Sequence, residues 1–149
     1  MVEDRRPYAG DIDVADLWAQ LQAGTGAVLV DVRTRAEWAF VGVPDLGSVG
    51  PAPVLAEWQR YPAMDRAPEF VAEVGAELDR RGAAPGSGTP VYFLCRSGAR
   101  SAAAAAAMTA AGYGPCFNVT DGFEGPVGPD GHRGTVGGWK AAGLPWKQS

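Results

Sequence analysis

Apolar positions along the chain follow two periods, and their alternation predicts the fold. Val14, Leu17, Trp18 and Leu21 recur at helical spacing behind Asp13, a side chain suited to cap a helix start. Ala27-Val28-Leu29-Val30-Asp31-Val32 is instead a continuous apolar run rich in β-branched residues, the pattern of a strand covered on both faces. Thr34-Arg35-Ala36-Glu37 then matches a capping box and predicts a short helix that carries Trp38 and Phe40 inward. From Val41 to Ala67 the periodicity dissolves among prolines and glycines, which predicts a long ordered loop with one helical turn at Val54 to Arg60.

Order returns at Pro68, placed near the first position of a helix that runs to Arg81, with Phe70, Val71, Val74 and Leu78 on one face and Gly82 after it. Thr89 to Leu94 predicts a second buried strand, Ser101 to Ala111 an alanine-rich helix closed by Gly112, and Cys116 to Val119 a third strand. A short helix is expected around Trp139 to Ala142. Strands alternating with helices predict a three-layer α/β/α domain on a central, mainly parallel sheet. With 149 residues the chain fits a single domain, its core at about 10–125 and a glycine-rich extension at about 126–149.

Composition narrows the chemistry. Two cysteines and one histidine are too few for a structural zinc site, and no catalytic metal spacing is present, so no metal and no cofactor is expected. The net charge of −4 gives no basic footprint for nucleic acid or an anionic membrane. Neither a secretory signal at the start nor a run of about 18 apolar residues is present, so a cytoplasmic location is expected.

Candidate chemistry concentrates where the second buried strand ends. Cys95 is followed by Arg96, Ser97, Gly98, Ala99 and Arg100, and then by the alanine-rich helix. Ligands of open parallel sheets bind beyond the carboxyl ends of strands. The two arginines, the curl allowed at Gly98 and the unpaired N–H groups of the helix start all favour an anion, and a thiolate is the anion at hand. Cys116 is expected to pack inertly in its strand, with a resolving thiol as the alternative, and His132 to be solvated in its loop. Trp58, Tyr61 and Met64 are candidates either for the core or for the wall of the site.

Asp31-Val32-Arg33, the following Glu37-Trp38, the Cys95-Arg96-Ser97-Gly98-Ala99-Arg100 loop, Gly122 and the closing Trp139, Gly143 and Pro145 together resemble the single-domain rhodaneses, sulfurtransferases of the thiosulfate type. The resemblance runs from about Gly10 to Trp146. It implies that Cys95 takes a sulfane sulfur from a small anionic donor such as thiosulfate, or from a persulfide, and passes it to a thiol or protein acceptor. It also implies that Arg100 anchors the loop, Arg96 stands at its rim, and Asp31 with Arg33 supports it from the neighbouring strand. Related cysteine phosphatases of the dual-specificity type carry Cys-x5-Arg; the Cys-x4-Arg spacing here suits a cradle for one sulfur atom over phosphate ester hydrolysis or arsenate reduction. A non-enzymatic sulfur relay or sensor is the alternative of another class. The family's Gly-His-Ile-Pro-Gly-Ala stretch is replaced by Gly42-Val43-Pro44-Asp45-Leu46-Gly47, and the family histidine is absent.

Overall fold

The computed structural model describes residues 7–60 and 62–148. In chain order the elements are β1 (Gly10–Ile12), α1 (Val14–Gln22), β2 (Val28–Asp31), α2 (Arg35–Phe40), β3 (Val43–Pro44), β4 (Val54–Leu55), β5 (Gln59–Arg60), β6 (Asp65–Arg66), α3 (Phe70–Arg80), β7 (Val91–Leu94), α4 (Ala99–Ala110), β8 (Cys116–Val119), α5 (Gly138–Ala141) and β9 (Trp146–Lys147). Five strands form one parallel sheet in the order β1-β8-β7-β2-β4, while β3 pairs with β9 and β5 with β6 as small antiparallel ribbons.

The continuous apolar runs of β2 and β7 are explained by cover on both sides. Val28, Val30, Val91 and Phe93 face one layer with Phe70, Val74 and Leu78 of α3 and Ala104, Ala105 and Met108 of α4. Leu29, Tyr92 and Leu94 face the other, with Val14, Leu17 and Leu21 of α1 and Trp139 of α5. Side chains alternate across a strand, so a sheet covered twice reads apolar at every position. This is the three-layer α/β arrangement expected from the sequence.

Several local expectations are corrected. Phe40 is 81% exposed and α2 has no buried residue, so the helix does not carry Phe40 inward; its first turn is held by hydrogen bonds instead. No helical turn forms at Val54 to Arg60: Val54 and Leu55 join the sheet edge beside Val30 and Asp31, and the chain then folds into the β5–β6 ribbon. Pro68 lies before Glu69, the cap of α3, and so stands outside the helix. The sequence pattern also missed β1, which closes the far edge against β8.

Register sets up the functional end of the sheet. Asp31 pairs with Leu94, and the Val32 N–H donates to the Leu94 carbonyl at 2.8 Å. The segments that follow β2 and β7 therefore leave the sheet side by side, bringing Asp31, Arg33 and Cys95 to one end. The alanines of α4 let that helix approach closely, since Ala104 and Ala105 are fully buried against the sheet side while Ala103 faces out. Ala105→Leu should therefore cost about 1–3 kcal/mol by overpacking, whereas Ala103→Leu should stay within about 0.5 kcal/mol. Denaturant unfolding of the two variants measures the difference.

Candidate active site

Cys95 follows the last residue of β7 and is 1% exposed. The chain turns at Gly98, which caps α4 with φ of 112°, and its N–H donates to Cys95 Sγ at 3.1 Å. A side chain at this position is excluded twice over, by the left-handed backbone and because a Cβ would stand 2.4 Å from the Thr120 carbonyl oxygen. The sulfur thus lies against the start of α4, where unpaired N–H groups favour negative charge.

Ser101, fully buried one turn into α4, adds a second partner: its Oγ lies 3.2 Å from Cys95 Sγ. The Ser101 hydroxyl donates to Asn118 Oδ1 at 2.6 Å, and Asn118 Nδ2 donates to Asp11 Oδ1 at 3.3 Å. With its one hydrogen directed to Asn118, Ser101 accepts from the Cys95 thiol; rotation of the hydroxyl would turn that hydrogen toward an ionised sulfur. Neither Ser101 nor Asn118 stands out in the sequence. The signal is present in part, because Ser101 directly follows Arg100 on the helix face that looks back at the loop.

The first turn of α2 closes the other side. Thr34 and Glu37 form the expected capping box, but the Glu37 carboxylate does more than cap. It accepts from Arg100 Nη1 at 2.7 Å and Nη2 at 3.0 Å, tying the start of α4 to the start of α2. Burial alone would raise the Glu37 carboxyl, but the hydrogen bonds and charge of Arg100, helped by Thr34, hold it below its ordinary value. The Arg100 guanidinium is held above its ordinary value against burial by Glu37, with smaller contributions from Cys95 and Asp31.

Asp31 and Arg33 form a fully buried ion pair, Nη2 to Oδ2 2.6 Å, in which Nε also donates to Oδ1 at 2.9 Å. Arg33 turns away from the Cys95 cradle: Nη2 reaches the Gly42 carbonyl and the guanidinium lies 4.1 Å from the Phe123 ring centroid. Its link to the loop runs through Phe123, whose N–H donates to the Cys95 carbonyl at 2.8 Å. Glu124 and Gly125 both donate to the Arg96 carbonyl, at 3.1 and 3.0 Å. Gly122, with φ of 70°, permits this approach, since a Cβ there would stand 2.4 Å from the Arg96 carbonyl oxygen. Residues 122–125 therefore brace the Cys95 loop through backbone contacts.

Above Cys95 opens a cavity of about 640 Å³ lined by Thr34, Glu37, Phe40, Val41, Gln59, Met64, Arg96, Ser97, Ala99 and Arg100, among others. Met64 thus forms wall, whereas Trp58 is core, packed edge-on against Phe70 with ring centroids 5.0 Å apart. Tyr61 lies outside the described residues. Arg96 is exposed at the rim. Cys116 does not approach the site. It is paired with Val91, four residues before Cys95 and about 13 Å away along the strand direction, too far for a disulfide without rearrangement. Cys116 is buried, and burial pushes its thiol up, partly offset by the Thr109 hydroxyl. His132 is exposed in its loop.

Cys95 thus stands at the end of a central parallel strand, against a helix start and in the lining of an open cavity. The rhodanese-like domain matches residues 13–126, so the chain belongs to the rhodanese-like family, a family of sulfurtransferase type. It is 36% identical over 127 residues to the uncharacterized protein RC0915 of Rickettsia conorii, covering 85% of this chain and 88% of that protein. The uncharacterized protein RP600 of Rickettsia prowazekii is 36% identical over 121 residues, covering 81% and 83%. Among solved structures, Rv0390 from M. tuberculosis superposes with a TM-score of 0.82 at 48% identity, over 95% of this chain and 99% of that one. The polysulfide-sulfur transferase homodimer from Wolinella succinogenes shares the fold, with a TM-score of 0.55 at 21% identity over 96% and 80%.

The lowered Glu37 carboxyl has a consequence for stability. A group whose folded value lies below its unfolded one stabilises fully above the unfolded value, about 4.3 for glutamate, and loses that contribution as pH falls through the folded value. Acid unfolding measured from pH 6 downward should show a shallower loss of stability in Glu37→Gln than in the parent over the window just below pH 4.3. An unchanged slope would mean that the pair with Arg100 is not maintained in solution.

Proposed function

We propose that the protein is a sulfurtransferase that carries sulfane sulfur on Cys95 as a persulfide. The observation that carries this reading is the surroundings of Cys95 Sγ: 1% exposed, 3.1 Å from the Gly98 N–H and 3.2 Å from Ser101 Oγ, at the floor of an open cavity. The Cys95 thiolate attacks the outer sulfur of a donor such as thiosulfate; the donor's S–S bond breaks and its electron pair leaves with sulfite. An acceptor thiolate or cyanide then attacks the outer sulfur of the persulfide, and the Sγ–S bond breaks to return the Cys95 thiolate. Both steps move one neutral sulfur atom between nucleophiles, so no redox cofactor and no metal is required.

Each half needs negative charge held on sulfur inside a site that excludes most water. Gly98 N–H and the start of α4 supply fixed donors for that charge, which act without reorganising. Arg100 fixes the far end of the loop through Glu37, and Arg96 draws an anionic donor toward the mouth. Asp31 and Arg33 act at one remove, by holding Phe123 and the tail against the loop. No described helix is long and apolar enough to cross a membrane, and the proposed chemistry calls for none.

Intact mass after incubation with thiosulfate tests the carrier role. The protein should gain one sulfur atom, Cys116→Ser should gain it equally, and Cys95→Ser should gain none; no gain with thiosulfate or any persulfide donor would overturn the reading. Continued turnover with cyanide or a dithiol is expected of an enzyme, whereas a stoichiometric relay would stop after one transfer.

The two loop arginines should separate in the same assay. Arg100→Ala removes the anchor and should slow loading on the order of 100-fold, the scale of a misplaced reacting group. Arg96→Ala should lower the rate only several-fold and flatten its dependence on ionic strength. Equal, mild losses in stopped-flow loading would contradict this division of labour.

A further inference from the structure

The cavity above Cys95 is larger than a small inorganic donor needs, and its walls differ in character. Its 640 Å³ falls within the range of roughly 300–1,000 Å³ typical of pockets that enclose organic ligands. Its lining combines the polar Arg96, Arg100 and Glu37 with the apolar Phe40, Val41, Pro62 and Met64. Phe40 stands out here: a phenyl ring left 81% exposed has no packing role, and it lies at the cavity edge. Met64, in the turn between β5 and β6, has φ of 59°, the one non-glycine residue with positive φ among those described, and its N–H is bonded to the Arg60 carbonyl at 2.6 Å.

Charge at the mouth is equally specific. Both oxygens of Glu37 are engaged by Arg100, which neutralises that guanidinium, while Arg96 makes no ion pair among the described residues. One uncompensated cation therefore faces the incoming donor, beside a sulfur that must itself be anionic to react. A dianion such as thiosulfate would bring two negative charges to one free arginine; a monoanion matches it.

From the apolar wall and this charge count we propose that the preferred donor is a singly charged organic sulfane-sulfur compound, R–S–S⁻ with an apolar R, whose R group lies against Phe40, Val41 and Met64. The proposal rests on Cys95 being the sulfur carrier. The Cys95 thiolate bonds to the outer sulfur, the donor's S–S bond breaks with its pair going to R–S⁻, and R–S⁻ takes a proton from water, leaving an anionic persulfide on Cys95. The apolar wall is used only by a donor that has an R group, so it acts in selection between donors.

Three probes separate charge from apolar contact: thiosulfate, a dianion; methanethiosulfonate, a monoanion with a small arm; and benzenethiosulfonate, a monoanion with a large one. Each loads Cys95 by the same attack on the outer sulfur, expelling sulfite or a sulfinate. Loading is followed by intact mass, and each rate is divided by that donor's rate with free N-acetylcysteine to remove intrinsic reactivity. Benzenethiosulfonate should then exceed methanethiosulfonate about tenfold, the scale of a modest apolar contact, and methanethiosulfonate should exceed thiosulfate. Phe40→Gln combined with Met64→Gln should bring the benzene-to-methane ratio toward one, while Val127→Gln, exposed elsewhere on the surface, should leave that ratio as it is. A wild-type ratio near one, or thiosulfate as the fastest donor, overturns this proposal and leaves the carrier role standing. Failure of all three donors to load Cys95 overturns both.

Discussion

Three backbone N–H groups beyond β8, those of Phe123, Glu124 and Gly125, hold the carbonyls of Cys95 and Arg96, and the geometry of the sulfur depends on that grip. The two segments can meet only because neither bears a side chain at the point of contact: Gly98 fits under Thr120 and Gly122 fits against Arg96. Backbone hydrogen bonds at 2.8–3.1 Å between two segments packed this closely leave the loop little freedom. The tail is in turn fixed by Trp139, fully buried and donating from its indole N–H to the Pro145 carbonyl at 2.7 Å. The Cys95 loop is thereby tied to the buried Trp139 and the core.

Charge follows the same logic. The protein as a whole is acidic, yet the ion pairs around the site are arranged so that each arginine has a distinct task. Arg33, sealed at 0% exposure with Asp31, holds the Gly42 carbonyl and the Phe123 face, and disrupting that buried pair would leave an uncompensated charge. Arg100 is satisfied by Glu37, a residue already committed to capping α2, so one carboxylate joins two helix starts across the cavity. Arg96, exposed at the rim, makes no ion pair among the described residues. A global charge of −4 conceals this local order.

Much of this architecture is legible in the amino-acid sequence. The buried runs of β2 and β7 and the alanine-rich α4 are strongly patterned, and the Asp13 cap and the Thr34–Glu37 capping box are local chemistry, fully specified within four residues. What escapes the sequence pattern is set by distant partners. β1 and β4 are three and two residues long and exist as strands only because β8 and β2 offer free edges. Phe40 has the identity of a core residue and the position of a cavity rim, a difference that helical spacing cannot express over six residues. Glu37 is visible as a cap but not as the partner of Arg100, 63 residues away, and Asn118 reaches Ser101, the partner of the Cys95 sulfur, only through the pairing of β7 with β8.

The site at which the transferred sulfur resides decides whether Cys95 is its carrier. Anomalous sulfur scattering from a crystal soaked with thiosulfate locates it directly. A second sulfur bonded to Cys95 Sγ, within the cradle closed by Gly98 and Arg100, is the predicted result. Unmodified Cys95 in crystals that consume thiosulfate, or added sulfur on Cys116 instead, would contradict it.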